Sequence, residues 1–138
     1  MDKAGPIIIV EDDIDDQEIL KDILAELSVP NEILFFKNAI DALSHLNSTE
    51  ITPFILFSDF NLPRMTGVEL KDEIRESAND RIKSVPFIFF TTAAPKNVVF
   101  EAYLKNAQGF FLKPNSFTEL KKLIETIIKY WSCSQPTN

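Results

Sequence analysis

Five short runs of apolar residues are spaced along the chain, at positions 7–10, 33–36, 55–58, 86–90 and 110–112. They are rich in β-branched and aromatic residues and contain almost no polar residue. This pattern predicts five strands that are buried on both faces of a sheet.

The segments between these runs carry apolar residues at helical spacing. Between residues 14 and 27 they stand at positions 14, 19, 20, 23, 24 and 27, which lie on one face of a helix. Four more helices are predicted, starting after Asn38, at Gly67, near Asn97 and after Ser116. Asn38 and Ser116 are predicted N-caps, and Gly109 is predicted to follow the end of the fourth helix.

Strand and helix alternate five times, which predicts an α/β fold. Right-handed crossovers would build a parallel sheet with helices on both faces. The polar stretch 77–84 is predicted to be a loop, and no repeat or linker divides the chain. We therefore expect a single domain over 1–138, with its core at about 6–130 and a polar tail at 132–138.

Composition narrows the classes of function. The 138 residues include 21 acidic and 14 basic ones, and the formal net charge of −7 disfavours a nucleic-acid-binding surface. No apolar run approaches the roughly 20 residues that a membrane-spanning helix needs. No long apolar signal segment opens the chain, so a cytoplasmic location is expected. Cys133 is the only cysteine, which excludes a disulfide within the chain.

Polar and charged residues follow four of the five predicted strands. Glu11 and Asp12 follow the first, Asp59 the third, Thr91 the fourth and Lys113 the fifth. The strands of a parallel sheet all end at the same edge, where open α/β proteins hold their ligands. We therefore expect these five side chains to lie close together.

Three carboxylates at one place repel one another unless a cation or a proton compensates them. Carboxylate oxygens suit a hard divalent cation, Mg²⁺ first. His45 and Cys133 each stand alone, which excludes a histidine- or cysteine-rich metal site. With a lysine, a hydroxyl donor and a carboxylate nucleophile beside the metal, the set has what phosphoryl transfer needs.

Each of these residues also has an ordinary structural role open to it. Asp59 can cap the helix or turn that follows its strand, and the acids at 11–13 can be helix N-terminal charges. Thr91 can be a plain strand residue, with Thr92 the functional one, and Lys113 can be a solvated lysine. Their joint occurrence at four strand ends favours a functional site.

Together the motifs resemble the receiver domain of two-component response regulators, of the stand-alone chemotaxis type. The resemblance covers roughly 6–130 and is carried by Val10-Glu11-Asp12-Asp13, Asp59 with Leu62-Pro63 and Gly67, Thr91, and Lys113-Pro114. It implies a flavodoxin-like, doubly wound sheet with five helices. The strand order 2-1-3-4-5 is the one known for the chemotaxis members of this family.

The resemblance also implies a phosphoacceptor and a metal site. Asp59 would accept a phosphoryl group from a histidine kinase or a phosphotransfer protein. Glu11 and Asp12 would hold Mg²⁺ together with Asp59 and the backbone carbonyl of Asn61. Asp13 is a weaker candidate for the acidic pair.

In such a domain Thr91 and Lys113 would contact the phosphoryl oxygens, and the Lys113–Pro114 peptide bond would be cis. The aromatic residue three positions before the lysine is often tyrosine in the family, but here it is Phe110, which has no hydroxyl to donate. Burial favours an apolar ring, so we expect Phe110 to be largely buried before phosphorylation.

The expected function is that of a signalling phosphoacceptor that catalyses only its own phosphorylation and dephosphorylation. No output domain follows the last predicted helix, so we expect an unknown partner at the face of the fourth helix, fifth strand and fifth helix. The alternative is a receiver-fold binding module that is not phosphorylated. A haloacid-dehalogenase-type phosphatase is a third class, but it requires an aspartate where Asn61 stands.

Overall fold

A computed structural model describes residues 1–92 and 95–136, and its strands lie where the apolar runs predict them. They are β1 (Ile7–Val10), β2 (Ile33–Phe36), β3 (Ile55–Asp59), β4 (Phe87–Thr91) and β5 (Gly109–Leu112). The sheet is parallel throughout and has the order β2-β1-β3-β4-β5. The predicted α/β class and strand order are therefore confirmed.

Within residues 1–92 and 95–136 six helices cover the sheet, one more than predicted. They are α1 (Ile14–Glu26), α2 (Ala39–Ser48), α3 (Gly67–Arg75), α4 (Asp80–Lys83), α5 (Lys96–Leu104) and α6 (Phe117–Cys133). The predicted N-caps are present, because the side chains of Asn38 and Ser116 accept hydrogen bonds from Asp41 N and Glu119 N. In the described part of the chain no helix has both the length and the hydropathy needed to cross a membrane.

Alternate residues of each strand pack into two separate hydrophobic cores, one on each face of the sheet. Ile8, Val10 and Phe89 pack on one face with residues from α2 to α5, whereas Ile9 and Phe90 pack on the other face with α1 and α6. Because successive side chains of a strand point to opposite faces of the sheet, a continuous apolar run supplies apolar side chains to both cores. Helices packed on both faces hold the sheet in place, and with it the strand ends that carry the polar residues.

The stretch predicted to be a loop holds the additional helix, α4. Asn79 caps it by accepting a hydrogen bond from Arg81 N, and Ile82 anchors it in the core. With a single buried apolar residue in four, this helix has no hydrophobic period from which it could be predicted.

The helix before β5 ends earlier than predicted and is poorly buried. It stops at Leu104, and Asn106 takes the positive φ of 65° that ends it, as asparagine can in place of glycine. Gly109 is instead the first residue of β5. Tyr103 and Leu104, which the helical pattern places on one face, are exposed.

Candidate functional site

The carboxyl ends of β1 and β3 bring the predicted acidic residues together. Val10 and Ser58 are register partners on these neighbouring strands, so the residues that follow them, Glu11 and Asp59, stand side by side. One carboxylate oxygen from each of Glu11, Asp12 and Asp59 lies within 4.8 Å of the other two. Glu11 is buried, Asp59 is half-buried and Asp12 is exposed, so the cluster opens towards solvent.

Lys113 extends from the end of β5 into this cluster. Its ammonium nitrogen lies 2.5 Å from Glu11 Oε1, 3.4 Å from Asp16 Oδ2 and 3.6 Å from Asp59 Oδ2. Its backbone N–H donates to the carbonyl of Thr91 at 2.8 Å, which fixes the start of the side chain at the sheet edge. One cation therefore faces three carboxylates.

Burial and pairing act against each other at Glu11. The residue is only 2% exposed, and burial raises the pKa of its carboxyl to about 7, although the hydrogen bond and the charge of Lys113 lower it. Burial alone would lower the pKa of Lys113, but the Glu11 hydrogen bond and the charges of Glu11, Asp59 and Asp16 raise it overall. The raised pKa of Lys113 keeps its ammonium protonated at neutral pH, where a Glu11 carboxyl with a pKa of about 7 is about half ionised.

The Asp59 carboxylate faces the cleft. Its Oδ1 accepts a hydrogen bond from Asn61 N at 3.1 Å, while the Ser58 hydroxyl donates to the Asp59 carbonyl at 2.9 Å. The following helix, α3, is capped instead by a complete box in which Thr66 and Glu69 exchange side-chain-to-backbone bonds. Asp59 therefore does not cap helix α3, but its bond from Asn61 N does cap the turn that follows β3, which was the other structural role open to it.

Gly67 fits closely behind the half-buried aspartate. A Cβ built on this residue would lie 2.5 Å from the Asp59 carbonyl oxygen and 2.8 Å from Phe89 Cε1. Both distances are shorter than real Cβ contacts, and the first is to backbone that cannot rotate away. The start of α3 can thus approach the end of β3 only because this residue has no side chain.

The two threonines at the end of β4 differ in exposure. Thr91 is fully buried, and its Oγ1 accepts a hydrogen bond from the Asn61 side-chain amide at 3.3 Å. Thr92 is exposed and lines the cleft beside Asp59 and Lys113. Asn61 thus bonds to both Asp59 and Thr91, which links the ends of β3 and β4.

Phe110 packs inward but is only partly buried. Its ring centroid lies 5.7 Å from that of Phe60 and 5.7 Å from that of Phe89, while Phe60 and Phe89 are 5.5 Å apart. Its side chain joins the core shared with α3 and α5. The ring therefore points into the core as expected, but it is partly buried rather than largely buried.

The predicted cis bond between Lys113 and Pro114 is wrong. No cis peptide bond is present among the described residues, so this bond is trans. The trans form is the intrinsically favoured one for a bond that precedes proline. The Lys113 side chain reaches Glu11, Asp16 and Asp59 from a trans bond.

The three clustered acids fit a hard divalent cation. Glu11, Asp12 and Asp59 supply oxygen ligands from three carboxylates at one place, the donor set that suits Mg²⁺. Asp13 serves instead as the N-cap of α1, because its Oδ1 accepts from Asp16 N at 3.1 Å. This is the helix-terminal role that remained open for the acids at 11–13.

Two site residues are not predicted from the sequence. Asp16 contributes to the charge around Lys113, although its place in the first turn of α1 indicates only a favourable interaction with the helix dipole. Gln17 is buried, and its amide donates to the Glu11 carbonyl at 2.6 Å. A signal for Gln17 exists: it lies three residues before Leu20 and seven before Leu24, on the buried face of the helix.

Comparisons with known proteins agree with this architecture. The family model for the response regulator receiver domain matches residues 7–125. The chemotaxis protein CheY of Pseudomonas aeruginosa is 31% identical over 123 residues, which cover 89% of this chain and 95% of CheY.

Solved structures share the fold. The phosphorylated cyanobacterial phytochrome response regulator RcpA has a TM-score of 0.84 at 21% identity, with 96% of this chain and 98% of RcpA covered. The receiver domain of the sensor histidine kinase PA1611 from Pseudomonas aeruginosa PAO1, solved with a magnesium ion in its active-site cleft, has a TM-score of 0.75 at 22% identity. That match covers 94% of this chain and 98% of the PA1611 domain.

Proposed function

This chain belongs to the response regulator receiver domain family, and on that basis we propose that it is a phosphoacceptor whose phosphorylated residue is Asp59. The observation that carries the proposal is the position of Asp59 at the end of β3. There its Oδ2 is 3.6 Å from Lys113 Nζ, and its carboxylate adjoins those of Glu11 and Asp12. Receiver domains of this family are signalling phosphoacceptors and interact with histidine kinases and downstream effectors.

In the proposed reaction a carboxylate oxygen of Asp59 attacks the phosphorus of a phosphohistidine. The new P–O bond forms as the P–N bond breaks, and the imidazole leaves with its electron pair and takes up a proton. Lys113 would offset negative charge on the phosphoryl oxygens, because its ammonium already lies beside Asp59. Thr91 would contact the same group through its hydroxyl.

Magnesium is the cation that we propose for the acid cluster. Glu11, Asp12 and Asp59 would hold it through carboxylate oxygens, and Asn61 through its backbone carbonyl. When bound, Mg²⁺ neutralises charge on the transferred phosphoryl group and on the acids around it. Asn61 is held near by its hydrogen bonds to Asp59 and Thr91.

Phosphorylation can be tested with a small donor. The protein is incubated with acetyl phosphate and Mg²⁺ and its intact mass is followed. We expect one phosphoryl group, removed by hydroxylamine as an acyl phosphate should be. Asp59→Asn should abolish it, while Asp22→Asn, a control at an exposed position of α1, should keep it. Full-rate phosphorylation of Asp59→Asn would refute the assignment, and no phosphorylation of the unmodified chain would favour a binding module.

We propose that the partner binds the face formed by α5, β5 and α6. Four large apolar residues are exposed on the first two of these elements: Phe100, Tyr103, Leu104 and Leu112. Phe100, Tyr103 and Leu104 have the i, i+3, i+4 spacing of one helix face, and an exposed apolar face is typical of a surface that binds another protein. A Tyr103→Ser, Leu104→Ser variant should accept phosphate normally but lose partner binding. The control Ile51→Ser, exposed before β3, should retain both.

A further inference from the structure

A cavity of about 410 Å³ lies between α1 and α6 and opens into the acid cleft. Its volume falls within the range of small-molecule sites in proteins. Away from the cleft its walls are mainly apolar and include, from the two helices, Ile19, Leu20, Leu24, Phe117, Leu120 and Ile124. Phosphoryl transfer at Asp59 gives this apolar extension no role.

The cavity leads from the surface into the core. Ile19 and Phe117 at its rim are 39% and 40% exposed, whereas Leu24 and Ile124 at its floor are 4% and 1% exposed. Apolar walls gain free energy when an apolar group covers them and removes them from water, and apolar cavities in proteins bind apolar molecules. The floor therefore favours a hydrocarbon group of matching size.

The polar mouth of the cavity determines the charge of the ligand. Glu11, Asp16 and Asp59 contribute three carboxylates to the lining, against the single ammonium of Lys113. That ammonium already contacts all three acids, at 2.5, 3.4 and 3.6 Å. Even when Glu11 is protonated, Asp16 and Asp59 outweigh Lys113, so an anionic head group would be repelled here and a cationic one attracted.

We propose that this cavity binds a small cationic amphiphile, with its ammonium group among the carboxylates and an apolar tail of about eight carbons between α1 and α6. Such a ligand would compete with a divalent cation, because the Asp59 and Glu11 carboxylates belong both to the acid cluster and to the cavity lining. The proposal is independent of phosphorylation at Asp59, since it depends only on the lining and charge of the cavity.

Binding can be tested with n-octylamine, which is protonated at pH 7, followed by amide and methyl NMR shifts of the full chain. Three probes serve as controls: n-octanol keeps the tail without charge, octanoate reverses the charge, and n-butylamine shortens the tail. Each buried methylene adds roughly fourfold in affinity, so octylamine, with four more methylenes, should bind roughly 250-fold more tightly than butylamine. It should also bind at least tenfold more tightly than octanol or octanoate, and Mg²⁺ should weaken it.

Substitutions test the polar end and the apolar end of the cavity separately. Asp16→Asn should weaken octylamine binding about threefold or more, whereas Asp15→Asn, exposed on the same helix and outside the cavity, should not. Leu20→Phe fills the tail region and should reduce binding at least tenfold. Leu27→Phe, also half-buried but outside this cavity, should not. Equal binding of octanol and octylamine, or unchanged binding to Leu20→Phe, would overturn the proposal.

Discussion

The ammonium nitrogen of Lys113 lies 2.5 Å from Glu11 Oε1, while the carboxylate proposed for phosphorylation, that of Asp59, is 3.6 Å away. The lysine expected to meet a phosphoryl group therefore pairs first with a proposed metal ligand. A metal ion and Lys113 would share the charge of Glu11. Metal binding, the ionisation of Glu11 and the position of Lys113 should consequently change together.

The first prediction concerns pH and stability in metal-free buffer. The pKa of Glu11 rises from 4.5 to about 7 on folding. Between these values the native state binds more protons than the unfolded one, so the free energy of unfolding should fall as pH rises. The loss should reach at most about 3 kcal/mol by pH 8. Urea unfolding at several pH values measures it, and Glu11→Gln should flatten the curve. An equally steep curve for that variant would refute the assignment to Glu11.

The second prediction concerns the Lys113 charge. Lys113→Met leaves Glu11 and its neighbours without their cation, and we expect a loss of about 3 kcal/mol in the free energy of unfolding without metal. Millimolar Mg²⁺ should restore part of it, because a divalent ion replaces the missing charge. Lys121→Met is the matched control: its ion pair with Glu26 is more exposed and should contribute less than about 1 kcal/mol. Similar losses in both variants would contradict the site electrostatics.

The third prediction concerns the contact between α3 and the end of β3. Gly67→Ala places a methyl group against the Asp59 carbonyl oxygen, so it should cost about 1–3 kcal/mol of stability and slow phosphorylation by acetyl phosphate. Gly109→Ala is the control, since its new methyl group meets the Phe111 ring, a side chain that can move. A Gly67→Ala protein that is phosphorylated at the normal rate would show that the backbone of Asp59 tolerates displacement.

Burial explains which parts of the fold are predictable from sequence. The strands face two cores, so runs such as 7–10 reveal them, and their order follows from the family resemblance. Helix α4 has one buried apolar residue, Ile82, and gives no periodic signal. The exposure of Leu104 cannot be predicted either, because its apolar character would equally suit a buried face.

The sequence predicts which types of residue form the candidate site, but it does not predict which of their side chains pair with one another. The position of Lys113 after a strand predicts where its backbone lies. It does not predict which of the nearby acids its side chain contacts. Lys113 lies closer to Glu11 than to Asp59 because of side-chain burial and rotamer, and neither can be predicted from the sequence pattern. Asp16 contributes only in the folded chain, where the first turn of α1 and the residue after β5 meet at the cleft although they are 97 residues apart in sequence.

The fourth prediction concerns a buried lysine away from the site. Lys71 on α3 is 3% exposed, its Nζ lies 5.5 Å from the Phe87 ring centroid, and among the described residues no acid pairs with it. Burial and the charge of Arg75 lower its pKa, so the charged form opposes folding at neutral pH. Lys71→Met should raise the free energy of unfolding by about 1–2 kcal/mol. The exposed control Lys122→Met should change it little, and a destabilised Lys71→Met would show that the charge is compensated.

The last prediction concerns Phe110. Its ring contacts Phe60, the residue after Asp59, and Phe89, two residues before Thr91. Removing a partly buried ring from this cluster should cost about 2 kcal/mol in Phe110→Ala, whereas Phe100→Ala, at an exposed position, should cost almost nothing. Because the ring is already inward and has no hydroxyl to exchange partners, phosphorylation should leave its contacts in place. Aromatic NOEs between Phe110 and Phe60, measured before and after addition of acetyl phosphate and Mg²⁺, should persist. Their loss on phosphorylation would show that the ring rotates after all.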